Sequence, residues 1–281
     1  MKLKDYLLPG SLDEAKRLLR ELGPAGLPVA GATSHGFLNV KEERVAVDLS
    51  RAGLAGITAT ASGWRIGAMT PIEDLYRRRE KGWVLDRVAD AFVSQQIRNV
   101  CTLGGNIARV FPWSDFPVVL LALDGTMRIA GEPDRSMGAD EFFKGQPARH
   151  FQAGELLEWV EVSRLGAGEG FAVGKQKRTE VDFSQATAAV KATVAEGKVT
   201  GLRIALGAAV AVPTRLPELE AAFTGQAVPG EATIRSAVEG ALDGLSFRSV
   251  AGMSRDYIAV VARVMTGDAL VAALAEAGGG K

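Results

Sequence analysis

The sequence predicts an α+β protein built in two unlike parts, and three observations predict it. Short apolar runs alternate with amphipathic stretches over roughly the first 165 residues; two long β-capable runs then meet around "AEGKV" at 195–199; the remainder is helical by periodicity. The 281 residues, 47% hydrophobic and 23% charged, suffice for a substantial core.

The elements follow in order. "SLDEAKRLLREL" from Ser11 is a helix: Ser11 and Glu14 make a capping box, Leu12, Ala15, Leu18, Leu19 and Leu22 recur at helical spacing, and Gly23 ends it. "LPVAG" and "RVAVDLS" are short and bounded by turn formers, which predicts buried strands, as does "WRIGAM". In "TPIEDLYRRR" Thr70 is the expected N-cap, Pro71 the first helical residue and Glu73 the acidic residue three past the cap. "VLDRVADAFVSQQI" reads as one helix, Ser114 caps "DFPVVLLALD", and "TMRIAG" is a strand. The runs flanking "AEGKV", from Ala186 to Arg215, form an antiparallel hairpin. Helices over "PELEAAF", "TIRSAVEGAL" and "RDYIAVVARVMTGDALVAALAEA" complete a carboxy-terminal layer on a small sheet, with the domain boundary expected between 165 and 175.

Composition excludes several functions. Lys plus Arg and Asp plus Glu are both 33, so no net field favours nucleic acid or an anionic membrane. The opening "MKLKDYLLPG" lacks the apolar centre of a signal peptide, and no stretch of about 18 uncharged apolar residues predicts a membrane helix. A cytoplasmic location is expected. The single cysteine, Cys101, rules out an internal disulfide framework, a zinc knuckle or a cluster held by this chain's own thiolates, and two distant histidines argue against a histidine-rich metal site. No metal ligand set is assigned.

Two small-residue loops carry the chemistry. "PVAGATSHGF" at 28–37 and "VCTLGGNIARVFPWSD" at 100–115 each join a short apolar run to hydroxyls and glycines. Neither is a G-x-G-x-x-G fingerprint nor a Walker loop. Glycine nevertheless lets a backbone approach an anion closely and turn successive N–H groups towards it. The expected donors are the amides of Gly31 to Ser34 with the Thr33 and Ser34 hydroxyls, then Thr102, the amides of Gly104 and Gly105, and Asn106. Paired glycines are more often plain turns, so from the residues alone both a turn and a binding loop stand.

Read in order, "LPVAGATS", "VAVDLS", "IGAMTPIEDL", "SQQIRNVCTLGGNIA", "SDFPVVLLALDGTMRI", "ADEFFKG", "GKQKRTEVDFSQATAAVKA" and "LRIALGAAVAVPTR" resemble the FAD-binding medium subunit of molybdenum hydroxylases, the family of carbon monoxide dehydrogenase and xanthine dehydrogenase. The resemblance spans essentially the whole chain, and "IRNVCTLGGNIA" is its most specific part. It implies a two-subdomain α/β FAD-binding domain over 1–172, with subdomains of about 1–56 and 57–172, followed by an α+β domain over 173–281. It also implies FAD against Ala30, Gly31, Ala32, Thr33 and Ser34 and against Thr102, Leu103, Gly104, Gly105 and Asn106. Asp115 matches a carboxylate that accepts from cofactor hydroxyls, Lys175 a basic residue near the flavin, and Phe92 an aromatic that packs on the cofactor. His35, directly after the first loop, is a further candidate contact, whereas His150 reads as structural or exposed.

Simpler readings stand beside these. Lys175 with Lys177 and Arg178 makes a basic run of the kind that is usually solvated. Asp115 could serve only the helix dipole, Phe92 only the core, and Cys101 only as a small buried hydrophobe. Departures from the family are Ala32, where a second glycine is common, and Arg109 and Trp113, where smaller residues are usual. Ala32 is expected to tighten the phosphate space or to impose a negative φ. Implied partners are a small [2Fe-2S] subunit and a large molybdopterin subunit, as a dimer of heterotrimers, with NAD, a quinone or oxygen as acceptor. A stand-alone FAD oxidoreductase and a flavin-binding module without turnover are the competing functions; the first needs a catalytic base, for which the chain offers no obvious His or Tyr, its three tyrosines Tyr6, Tyr76 and Tyr257 all lying outside the two loops, and no catalytic residue is assigned.

Overall fold

A computed structural model describes residues 2–34, 42–92, 94–250 and 252–279. His35 therefore lies outside the described residues. The first unit comprises β1 (Lys2–Leu7), α1 (Leu12–Leu22), β2 (Gly26–Val29) and β3 (Glu43–Asp48), the strands forming a parallel sheet in the order β1-β3-β2. The Ser11 hydroxyl caps α1 by accepting from the Glu14 amide at 3.2 Å, while the Glu14 carboxylate accepts from Gly10 at 2.8 Å, one residue earlier than a standard capping box. Ala15 and Leu19 of α1 pack with Val47, Leu49 and Leu156.

The second unit holds β4 (Ile57–Ala59), β5 (Gly63–Gly67), α2 (Ile72–Arg77), α3 (Leu85–Asp90), α4 (Gln95–Val100), α5 (Leu103–Ile107), α6 (Phe116–Ala122), β6 (Thr126–Ala130), β7 (Arg135–Gly138), α7 (Ala139–Phe142) and β8 (Leu156–Ser163). Its sheet is antiparallel, ordered β4-β5-β8-β6-β7. In the third unit β9 (Glu169–Gln176), β10 (Ala186–Ala195), β11 (Lys198–Gly207) and β12 (Thr214–Arg215) form an antiparallel sheet ordered β12-β11-β10-β9. Helices α8 (Pro217–Phe223), α9 (Glu231–Leu242) and α10 (Arg255–Ala277) follow. The β10–β11 turn is Glu196–Gly197, both at positive φ (51° and 71°), the geometry whose twist suits a two-residue hairpin. Position 172 lies inside β9.

Three sequence expectations need correction. The single helix expected over 84–97 is two: α3 stops, the carbonyl of Ala91 accepts from both Lys175 Nζ (2.9 Å) and Lys177 Nζ (3.1 Å), and Ser94 caps α4. Thr70 does not cap α2; its hydroxyl bonds the amide and carbonyl of Gly56, each at 3.0 Å, and Pro71 holds the cap position with extended backbone. Ser114 accepts from the Phe111 amide instead of capping α6, which Asp115 precedes. As expected, α10 packs on the third sheet: it is long and apolar enough to cross a membrane by composition, although Arg263 and Asp268 interrupt its apolar run, but Ile258, Ala262, Leu270 and Leu274 bury it there.

The second and third units share one core, because Phe171, Ala189 and Ala205 join the cluster of Ile66, Phe116 and Val160. Ion pairs rim this junction: Arg87 with Glu276 (2.7 Å), Arg203 with Asp124 (2.8 Å) and Arg215 with Asp140 (2.9 Å). At its centre Asp115, 3% exposed, meets Lys175 Nζ at 2.6 Å and accepts from the hydroxyls of Ser184 and Thr187, each at 2.8 Å. Every partner of that carboxylate comes from the third unit. Breaking such a pair leaves a buried charge uncompensated, so Asp115→Asn is expected to cost about 3–5 kcal/mol, and pairing it with Lys175→Met to recover much of that loss. Chemical denaturation of the full chain across this mutant cycle measures both.

Candidate functional site

The first loop leaves the end of β2 and meets the second loop at its back. A Cβ built on Gly31 would lie 1.6 Å from the Val100 carbonyl oxygen, so only glycine permits this crossing. Gly104 also sits tightly against Ala68, with an added Cβ 2.7 Å from both its side chain and its carbonyl oxygen. The Ile72 amide donates to the Cys101 carbonyl (2.9 Å), and Leu103 donates to the Thr70 carbonyl (3.0 Å). The segment before α2 thus carries the second loop. Beneath it, buried Glu73 on α2 binds Arg98 of α4 at 2.8 Å and Arg77 at 2.9 Å. Burial alone would raise the Glu73 pKa, but hydrogen bonds and charge from Arg98 and Arg77 outweigh it and hold the carboxyl below the usual range.

Between the loops opens a cavity of about 330 Å³, towards the small end of ligand sites. Ala30, Gly31, Ala32, Thr33, Ser34, Thr102, Gly104 and Gly105 line it together, so the two loops face one space. Leu103 is fully buried behind it, and Asn106 does not line it. The Asn106 Oδ1 atom is buried without a hydrogen-bond partner. Cys101 also lines the cavity; burial pushes its thiol pKa up, against the opposing influence of Thr33 and Asn106, so the thiol stays protonated at neutral pH.

Two details of the loops differ from expectation. The Gly104 amide donates to the Ala68 carbonyl at 2.8 Å and the Gly105 amide to the Thr102 hydroxyl at 3.1 Å, so neither is a spare donor. The glycines of the second loop serve close approach instead. Ala32 adopts φ 54°, not the expected negative value: the left-handed turn is kept although the residue carries a side chain.

Asp115 and Lys175 do not line the cavity; they face each other at the junction of the second and third units. Lys175 is thus not the solvated lysine its neighbours suggested, since its side chain is 8% exposed. Lys177 is pushed below the ordinary lysine range, first by burial and then by the charge of Lys175. Phe92 is a core ring, 6.0 Å from Phe116. His150 is structural: its ring stacks on Phe142, and Nε2 lies 3.1 Å from the Phe142 carbonyl oxygen. Sequence reasoning missed Met69, just after β5, Phe151, in the segment before β8, and Leu156 and Leu157 of β8, which complete the apolar wall, and Glu155, which Arg135 neutralises at 2.8 Å. No local motif marks them, because contacts far along the chain bring them to the loops.

Residues 1–164 match the FAD binding domain in molybdopterin dehydrogenase, and residues 171–273 match the CO dehydrogenase flavoprotein C-terminal domain. The chain belongs to the FAD-binding medium subunits of molybdenum hydroxylases, and is thereby a flavoprotein subunit of an oxidoreductase. It is 30% identical to the carbon monoxide dehydrogenase medium chain of Afipia carboxidovorans over 80% of this chain and 81% of that one. It superposes on carbon monoxide dehydrogenase from Hydrogenophaga pseudoflava with a TM-score of 0.91, at 30% identity over 98% of both chains. Against quinoline 2-oxidoreductase from Pseudomonas putida 86 the TM-score is 0.88, at 27% identity and 97% coverage of both.

The cavity's own residues fit part of a dinucleotide. Leu27, Pro28, Leu49 and Leu156 offer apolar surface for a planar base, and loop hydroxyls and backbone lie beside it for phosphate. Three outcomes follow. Gly31→Ala forces the Val100 backbone away and is expected to cost at least about 2 kcal/mol, measured by thermal melting. Ala32→Gly removes the strain of a left-handed alanine and should raise stability by up to about 1 kcal/mol in the same assay. Because the folded-state pKa of Glu73 is depressed, its stabilisation is complete above the unfolded-state value and is lost as pH falls through the folded one. Glu73→Gln should therefore lower the melting temperature at pH 7 and flatten its decline under acid.

Proposed function

We propose that this chain is the FAD-containing electron-transfer subunit of a heteromeric molybdenum hydroxylase, placed between the [2Fe-2S] clusters of a small partner subunit and an external acceptor. The observation that carries the reading is the paired-loop cavity in a chain whose two domain matches together span nearly its whole length. When bound, FAD supplies exchange between one-electron and two-electron carriers. The chain's own residues bind and orient it. Ala30 to Ser34 approach the dinucleotide with backbone and hydroxyls, Thr102 and Gly105 form the opposite wall, and Gly31 and Gly104 hold the two walls at the right separation. Leu103 and Asn106 support the second wall from behind. Asp115 and Lys175 act at the domain junction, fixing the carboxy-terminal domain, with the domains divided near 172, relative to the cavity.

No general acid or base is needed on this chain for such a task. Among the described residues none lining the cavity is a histidine or tyrosine, which favours an electron-transfer role over a stand-alone oxidoreductase with its own substrate site. The substrate then belongs to a large molybdopterin subunit, the acceptor is NAD, a quinone or oxygen, the assembly is a dimer of heterotrimers, and its location is the cytoplasm.

The test is to purify the chain from its native source with whatever accompanies it, release the chromophore by denaturation and identify it by chromatography against FAD and FMN. FAD near one equivalent, with molybdenum and iron in the co-purifying subunits, is the expected result. A chain that carries flavin but no accompanying metal-containing subunits would favour the stand-alone flavoprotein. Gly104→Val, which drives a side chain into the Ala68 backbone, is expected to abolish FAD retention.

A further inference from the structure

The cavity between the loops is poor in positive charge for a ligand with a diphosphate. The Gly104 and Gly105 amides are already engaged within the protein. Among the described lining residues only Glu155 and Arg109 carry charge, and the Glu155 carboxylate is neutralised by Arg135, which holds its pKa below the ordinary glutamate range. Arg109 makes no ion pair among the described residues, yet it is not a loose surface side chain. Its guanidinium carbon lies 6.0 Å from the centroid of the Phe111 ring. Phe111 stacks on Trp113 with centroids 5.2 Å apart and planes inclined by 16°, and Trp113 packs on Phe183 at 4.6 Å.

This stack crosses from the segment after α5 to the segment before β10, so both large domains set the position of Arg109. A guanidinium held beside an aromatic face keeps its N–H fork available, and the fork matches phosphate oxygens. It is exposed and hydrated until a ligand arrives, so its charge is not buried unpaired in the unliganded protein.

We propose that Arg109 is the residue that pairs with the diphosphate of the dinucleotide in this cavity, held for that contact by the Phe111–Trp113–Phe183 stack. The assignment rests on the reading of the cavity as the FAD site. It gives the cavity the positive charge that its backbone donors and its neutralised Glu155 do not supply.

The test uses the full-length chain stripped of flavin, with FAD, ADP and adenosine as probes and binding followed by calorimetry at low and high salt. Arg109→Gln is expected to weaken FAD and ADP about tenfold at low salt, to leave adenosine within about twofold, and to remove much of the salt dependence of FAD binding. Arg109→Lys, which keeps the charge but not the fork, should fall between. An unchanged melting temperature separates these effects from misfolding. Arg109→Gln binding FAD and ADP as tightly as the wild type overturns the assignment alone, as does an equal loss for adenosine. A wild-type chain that binds neither FAD nor ADP overturns the reading of the cavity, and this assignment with it.

Discussion

The crossing of two backbones at Gly31 and Val100 is the constraint on which the rest of the site depends. An added Cβ 1.6 Å from a carbonyl oxygen is a steric prohibition, not a preference, and it welds the end of β2 to the end of α4. Once that point is set, the second loop can begin at Thr102 only by turning immediately, and Gly104 lets it do so against Ala68. Apolar side chains from β8 then close the wall. The cavity is what remains when two chains have been brought as near as atoms allow on one side and are held apart on the other.

A second constraint works at longer range. Among the described residues the Asp115 carboxylate finds its partners outside its own unit: Lys175, Ser184 and Thr187 all reach it from the third. Buried ion pairs seldom add stability relative to an apolar substitute, but they discriminate strongly against misplacement, because a shifted strand would leave both charges bare. The same Lys175, with Lys177, takes the Ala91 carbonyl and so meets the end of α3. One β-strand thereby orders two separate helical segments of the other domain, which ties the carboxy-terminal sheet to the framework that carries the second loop.

Much of this was legible in sequence, for reasons that differ by residue. Helix α1 announced itself through Ser11 and the spacing of Leu12, Leu18, Leu19 and Leu22, and the β10–β11 hairpin through Glu196–Gly197, because each signal is local. The two loops were legible as a pair from their glycines and hydroxyls, and the family resemblance placed them in one site. What escaped was set by contacts far along the chain. Ala91 reads as a helix interior until two lysines some eighty residues later claim its carbonyl. Thr70 reads as a cap until Gly56 takes its hydroxyl. Ala32 reads as a departure from a glycine motif, and only the backbone reveals that it adopts a left-handed conformation all the same.

Helix α10 has a consequence for how the protein is made. Its composition would suit a lipid bilayer, and its concealment depends on the sheet formed by β9, β10 and β11 and on α9. Those strands precede it in the chain, and synthesis proceeds from the amino terminus, so the surface that receives α10 is translated before the helix itself. Had the order been reversed, a naked greasy segment would wait on the ribosome for its cover, exposed to insertion machinery and to other nascent chains. The linear arrangement of the carboxy-terminal domain is thus a safeguard in time as well as a layout in space.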